Sequence, residues 1–166
     1  MIILGIDPGY AIVGCGVLEY SNNHFRVIEY CPITTPAEMP FNRRLEVIYD
    51  EITALINRTK PQAVSIEKLF FNSNQKTVID VGQARGVLML ACQKAGLEVF
   101  EYTPLQVKQS VVGYGRAEKK QVQEMTRIIL GLDKVPKPDD VADALAMAIC
   151  HGHSSGSLMG KINQLK

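Results

Sequence analysis

The chain has 166 residues, 46% hydrophobic and 21% charged, with a net charge of +1 at pH 7. These values fit one globular domain able to bury a sizeable core and exclude any long disordered or low-complexity tract. They also exclude bulk charge as an argument for a polyanionic partner, and no segment approaches the length of a membrane span.

Met1 to Leu4 carries neither the basic start nor the long apolar run of a secretion signal, so the cytoplasm is the expected location. Ile2-Ile3-Leu4-Gly5-Ile6, then Asp7-Pro8-Gly9-Tyr10, then Ala11-Ile12-Val13-Gly14-Cys15-Gly16-Val17-Leu18 predicts two strands joined by a tight turn, with Asp7 at its lip. Pro8 presets φ for the first corner, and Gly9 is expected to supply the positive φ of a type II turn. A carboxylate at that position is costly to desolvate without compensation. Either it accepts hydrogen bonds from the turn amides of Gly9 and Tyr10, or it belongs to a group of acids assembled from elsewhere in the chain.

Phe25, Val27, Ile28, Tyr30 and Ile33 follow the Ser21-Asn22-Asn23 turn as a third strand and complete an antiparallel meander. Beyond Pro36 and Pro40, Leu45, Ile48, Ile52, Leu55 and Ile56 recur at helical spacing, with Arg43, Arg44, Glu46, Asp50 and Glu51 assigned to the solvated side. Pro61 closes that helix. Ala63-Val64-Ser65-Ile66 is a short buried strand ending at Glu67, and a right-handed crossover sets it parallel to the first. Glu67 then sits at a carboxyl strand end as Asp7 does, the edge where open α/β sheets build sites, unless it simply faces water.

Of the adjacent rings Phe70 and Phe71, Phe70 is the candidate to stack on bases or wedge between them. Gln75 to Ala95 predicts a long helix that is apolar nearly all round. Neighbouring helices or a second copy of the chain would cover it, with Gly82, Ala84 and Gly86 permitting close approach. Gly96 ends it, and Leu97 to Tyr102 is the last strand. Thr103, Pro104 and Gln106 read as cap, first helical residue and capping-box partner of a short helix bearing Lys108. A Gly-rich basic turn from Gly113 to Lys120 leads into an amphipathic helix through Val122, Met125, Ile128 and Ile129.

Pro138 and Asp139 start an alanine-rich final helix on which Asp140 and Asp143 share one face. Asp139 is assigned to the helix dipole. The pair is assigned to a site, because Ala142, Ala144 and Ala146 suit a helix pressed against the sheet, close to Asp7 and Glu67. The expected organisation is a single domain over residues 1–152 with a flexible tail over 153–166, and no role falls to His151 or His153. Cys15, Cys31, Cys92 and Cys150 include no CxxC pair and read as buried thiols of a reducing compartment.

Charge is unevenly spread: residues 1–67 carry five Lys and Arg against eight acids, whereas 68–127 carry nine against five. Lys68, Lys76, Arg85, Lys108, Arg116, Lys119 and Lys120 fall in that basic middle, as a solvated face or as a track for phosphates. Asp7, Glu67, Asp140 and Asp143, if they converge, repel one another too strongly to coexist without cations. Ligands that are all oxygen select hard ions such as magnesium or manganese. A pair of such ions about 3.5–4 Å apart activates water and neutralises a leaving oxygen, which is the chemistry of phosphodiester hydrolysis without a histidine or cysteine nucleophile.

Taken together, Gly5-Ile6-Asp7-Pro8-Gly9, Ile66-Glu67, Gly82-Gln83-Ala84-Arg85-Gly86, Gln106-Val107-Lys108-Gln109, Gly115 to Lys119 and Asp140-Val141-Ala142-Asp143-Ala144-Leu145 resemble the RuvC family of Holliday-junction resolvases. The match is collinear from residue 2 to about residue 152. The resemblance implies an RNase H-like α/β fold, in which helices flank a five-stranded mixed sheet whose first three strands are antiparallel and the rest parallel. It implies a homodimer that cuts four-way DNA junctions by paired, symmetric nicking in recombination and repair, leaving ligatable nicks and working with RuvA and RuvB. It implies Mg2+ dependence, with two ions per subunit and Mn2+ as a substitute.

The family's acidic ligands map onto Asp7, Glu67, Asp140 and Asp143, its junction-contacting aromatic onto Phe70, and its DNA-binding lysines onto Lys108 and Lys119. Lys76, Arg116 and Lys120 extend that basic set. Some members carry histidine where this chain has Asp140. The opening Gly-Ile-Asp-x-Gly also resembles the first phosphate motif of the actin and sugar-kinase ATPases, which need a second domain and a further phosphate motif. A non-catalytic junction-binding protein is the other alternative; it explains the basic middle and Phe70 but leaves the acids without purpose.

Overall fold

The computed structural model describes residues 1–68 and 75–156. Strands β1 (Ile2–Asp7), β2 (Ile12–Ser21) and β3 (His24–Thr34) open the chain, followed by helix α1 (Phe41–Thr59) and strand β4 (Ala63–Glu67). Then come α2 (Gln75–Lys94), β5 (Glu98–Tyr102), α3 (Pro104–Val112), α4 (Lys119–Ile129) and α5 (Asp139–Gly156). The sheet order is β3-β2-β1-β4-β5. The β1–β2 and β2–β3 pairs are antiparallel, whereas β4 lies parallel to both β1 and β5, as the crossover argument requires.

Side chains of a strand alternate between faces, and this alternation divides the molecule into two layers. Leu4 and Ile6 of β1, Val13, Cys15 and Val17 of β2, and Val64 and Ile66 of β4 point to a core closed by Ile48, Ile52, Leu55 and Ile56 of α1 and Ala84, Leu88, Ala91 and Cys92 of α2. The alternate positions face α5. There Ile3 and Leu18 join Val107 and Val111 of α3, Val122 of α4, and Val141, Leu145 and Ile149 of α5. Asp7 shares parity with Ile3 and Gly5, and Glu67 with Ala63 and Ser65, so both acids emerge on the α5 face.

Several local expectations hold for the stated reasons. Asn22 and Asn23 have φ of 50° and 62°, the left-handed pair of a tight hairpin turn. The capping box of α3 forms: the Gln106 amide donates to Thr103 Oγ1 (3.2 Å) and the Thr103 amide to Gln106 Oε1 (2.8 Å). Others are corrected. Gly9 does not adopt a positive φ; it is small because a Cβ there would fall on the carbonyl of Ile12. Arg44 is buried, not solvated, because its guanidinium lies 5.5 Å from the Tyr10 ring centre and donates to the Pro36 carbonyl (2.6 Å).

Of the tail expected over 153–166, residues 153–156 belong to helix α5, which runs to Gly156, and the rest lies outside the described residues. The four cysteines are free thiols, and Cys31 is only partly buried. Helix α2 buries Ala84 and Leu88 yet leaves Ile79 and Leu90 64% and 54% exposed, so one apolar stripe of it has no cover within the described chain. Among the described residues, no helix is long and apolar enough to cross a membrane.

Candidate active site

What brings the acids together is an unusually close approach of helix to sheet. At Gly5 a Cβ would land on the Ala144 carbonyl, and at Gly14, the register partner of Asp7, on the Asp140 carbonyl. At Gly16 it would press on Leu145. Where the sheet has no side chain, the backbone of α5 fills the space, and Ala142, Ala144, Ala146 and Ala148 keep the helix thin on its own side. Ser65, fully buried on β4, donates its hydroxyl to the Met147 carbonyl (2.7 Å) and ties the helix down. The first turns of α5 therefore overlie the ends of β1 and β4.

Asp7, Glu67 and Asp143 line one cavity of about 370 Å3 together with Pro104, Val107 and Lys108 of the α3 region, Lys119 and Val122 of α4, and Ala146 and Met147 of α5. Asp140 is not a lining residue, but its charge reaches both Asp7 and Asp143. Burial, then the charges of Glu67, Asp143 and Asp140, push the Asp7 carboxyl up to about 8. Glu67 is raised by burial and by Asp143. Asp143 is raised by burial, against the opposing pull of Lys119.

Lys119 is the cation inside this group. Its Nζ lies 2.8 Å from Asp143 Oδ2 and 3.9 Å from Asp139 Oδ2, and the bond to Asp143 raises its own pKa. Asp139 stands outside the cavity, where Lys137 Nζ (2.6 Å) holds its carboxyl below the ordinary range. One ammonium does not balance Asp7, Glu67, Asp140 and Asp143. Among the described residues, no three histidine, cysteine or acidic side chains converge tightly enough to grip an ion as they stand. The donor set nevertheless suits a hard divalent cation, being anionic and all oxygen.

The structure places the basic candidates unequally. Lys108 and Lys119 line the cavity, whereas Arg116 and Lys120 are exposed beside it in sequence. Phe70 and the side chain of Lys76 lie outside the described residues. Sequence reasoning missed the apolar wall formed by Val107, Val122, Ala146 and Met147. Its only signal was the helical i, i+3 and i+4 spacing of Ala146 and Met147 from Asp143, which is indistinguishable from ordinary core spacing.

Comparison with known proteins agrees with this geometry. The family model described as crossover junction endodeoxyribonuclease RuvC matches residues 3–151. A protein of that description from Ruminiclostridium cellulolyticum is 62% identical over 162 residues, covering 96% of this chain and 98% of its own. The solved structure of Thermus thermophilus RuvC has 35% identity and a TM-score of 0.87, covering 93% of this chain and 95% of that one. The same organism's RuvC in complex with a Holliday junction substrate has 32% identity and a TM-score of 0.88, covering 96% and 98%. The RNase H-like arrangement expected from the sequence is thereby borne out.

Proposed function

Since the chain belongs to the RuvC family of crossover junction endodeoxyribonucleases, we propose that the cavity between β1, β4 and α5 is where it cuts a four-way DNA junction. The protein is a nuclease that hydrolyses phosphodiester bonds and resolves Holliday junctions, a step of recombination and repair. The observation that carries the site assignment is the Asp7 carboxyl. It lines one cavity with Glu67 and Asp143, acids brought from two strand ends and a helix, and burial and those charges push it up to about 8, an arrangement with a direct use as a cation site.

Asp7, Glu67, Asp143 and, from the rim, Asp140 would hold the divalent cations, two Mg2+ per subunit with Mn2+ as a substitute. When bound, such ions lower the pKa of the attacking water and offset charge on the leaving oxygen. The chain's own groups do the rest. Lys119 is held by Asp143 at the cavity mouth, ready to exchange that carboxylate for a phosphate oxygen. Lys108, from α3, offers a second ammonium to the backbone. The apolar wall of Val107, Val122 and Met147 keeps bulk water off one side, which strengthens every charge interaction within. Arg116 and Lys120 would extend the phosphate track, Lys76 is assigned to the DNA-binding set as well, and Phe70 to the unstacked bases at the junction.

A symmetric junction calls for two nicks, and the uncovered stripe of α2, with Ile79 and Leu90 exposed, supports a homodimer packed through that helix. RuvA and RuvB are the proposed partners, in the cytoplasm. The test is incubation with a synthetic four-way junction and Mg2+. Paired nicks at symmetric positions that ligase can seal support the resolvase; junction binding without cutting supports a scaffold, and ATP turnover an actin-like relative.

A further inference from the structure

We propose that Arg85 is a positioning residue for Glu67, the clamp by which α2 holds the carboxyl end of β4 in place; this rests on reading Glu67 as a metal ligand. The Arg85 side chain is only 13% exposed. Its Nε donates to the main-chain carbonyl of Glu67 (3.4 Å), its Nη2 to Glu101 Oε1 (2.5 Å), and its Nη1 faces the Met89 sulfur at 3.0 Å. Glu101 sits on β5 opposite Ile66 of β4. One guanidinium therefore spans the ends of two adjacent parallel strands, and it is anchored on a third element.

The position of the Glu67 carboxylate depends on where its backbone ends. β4 pairs with β1 up to Ile6–Ile66, so past that point Glu67 rests on β5 and on whatever braces the strand end. The Lys68 amide donates to the Tyr102 carbonyl (2.9 Å) and is one such brace. Arg85, from helix α2, is another. Its planar fork suits a carbonyl and a carboxylate held at once; a lysine keeps the charge but not the span. Displacing a reacting group by about 1 Å costs on the order of 100-fold in rate, so a brace of this kind governs rate without touching DNA. The same helix carries the exposed stripe of Ile79 and Leu90.

The experiment compares the full chain with Arg85→Gln, Arg85→Lys and Glu101→Gln. Mn2+ alone is titrated calorimetrically without DNA; single-turnover cutting at saturating junction and junction affinity in EDTA are then measured. Arg85→Gln is expected to weaken Mn2+ binding about tenfold and to slow cutting by a similar factor. Junction affinity should stay within about twofold of wild type, Arg85→Lys should recover part of the loss, and Glu101→Gln should show a smaller loss in the same direction. A folded Arg85→Gln that binds Mn2+ as wild type does, or whose junction affinity falls as much as its rate, overturns the assignment. If Arg85→Gln does not fold, Glu101→Gln decides, and unchanged Mn2+ affinity there overturns it. A wild-type chain that binds no Mn2+ defeats the metal reading itself and the Arg85 assignment with it; wild-type binding with unaltered variants defeats Arg85 alone.

Discussion

Between the sheet and helices α1 and α2, interlocking aliphatic side chains fill the space, whereas between the sheet and α5, backbone lies almost on backbone. Leu4, Ile6, Val13 and Val17 meet Ile48, Ile52 and Leu55 on the first face. On the second, Gly5, Gly14 and Gly16 meet the main chain and small side of α5 from Asp140 to Ala148. An aliphatic layer adapts to the loss of a methyl group by small shifts, because many contacts share the change. A backbone contact has no such slack. The thin face is accordingly where groups from distant parts of the chain can be set with the accuracy a reaction needs, and it is the face on which Asp7, Glu67 and Asp143 emerge.

This contrast orders the expected effects of substitution on cutting. Asp7→Asn should cost about 10³-fold or more in rate while junction affinity holds, since the change removes a cation ligand and no contact to phosphate. Equal loss of both would assign Asp7 a folding role. Gly14→Ala sets a methyl against the Asp140 carbonyl, lifting the start of α5 away from Asp7. It should slow cutting by about 100-fold and cost about 1–3 kcal/mol in a denaturant melt. Lys119→Ala should weaken junction binding and make its log–log salt dependence shallower by about 0.9, the increment of one phosphate contact. An unchanged slope would take Lys119 off the DNA.

A pH effect of intermediate size follows from Asp7. Its pKa rises from 3.8 to about 8 on folding, so below 3.8 the carboxyl is protonated in both states and the contribution is whole. As pH climbs, the folded state retains a proton that the unfolded state has released, and the metal-free protein loses stability up to about pH 8. Asp7→Asn should flatten that decline and raise the metal-free melting temperature near pH 8 by roughly 3 °C or more. At the small end, Ile52→Val on the aliphatic face should cost about 0.5–1.5 kcal/mol and change the cutting rate by less than about twofold. If Ile52→Val impaired cutting as severely as Gly14→Ala, the distinction between the two faces would fail.

Much of this arrangement was legible in the sequence because it depends on local rules. The Thr103–Gln106 box, the parallel placement of β4 and the alanines of α5 each follow from residue type and spacing. What escaped depends on contacts between segments far apart in the chain. Periodicity put Arg44 in solvent, but the Pro36 loop and Tyr10 fold over it. Gly9 was read for its φ when the nearby Ile12 carbonyl is what excludes a side chain. The engagement of Lys119 by Asp143 joins two helices whose relative placement no spacing rule specifies. Gly5, Gly14 and Gly16 did carry a signal, since small residues at alternate positions mark a strand face approached by backbone.

The most direct test is an X-ray anomalous-scattering experiment on crystals of the full chain soaked in Mn2+. Anomalous density in the cavity bounded by Asp7, Glu67 and Asp143, with the Lys119 ammonium released from Asp143 and the density lost in Asp7→Asn, is the result expected. Saturating Mn2+ that leaves the cavity without density and Lys119 still bonded to Asp143 would contradict the account.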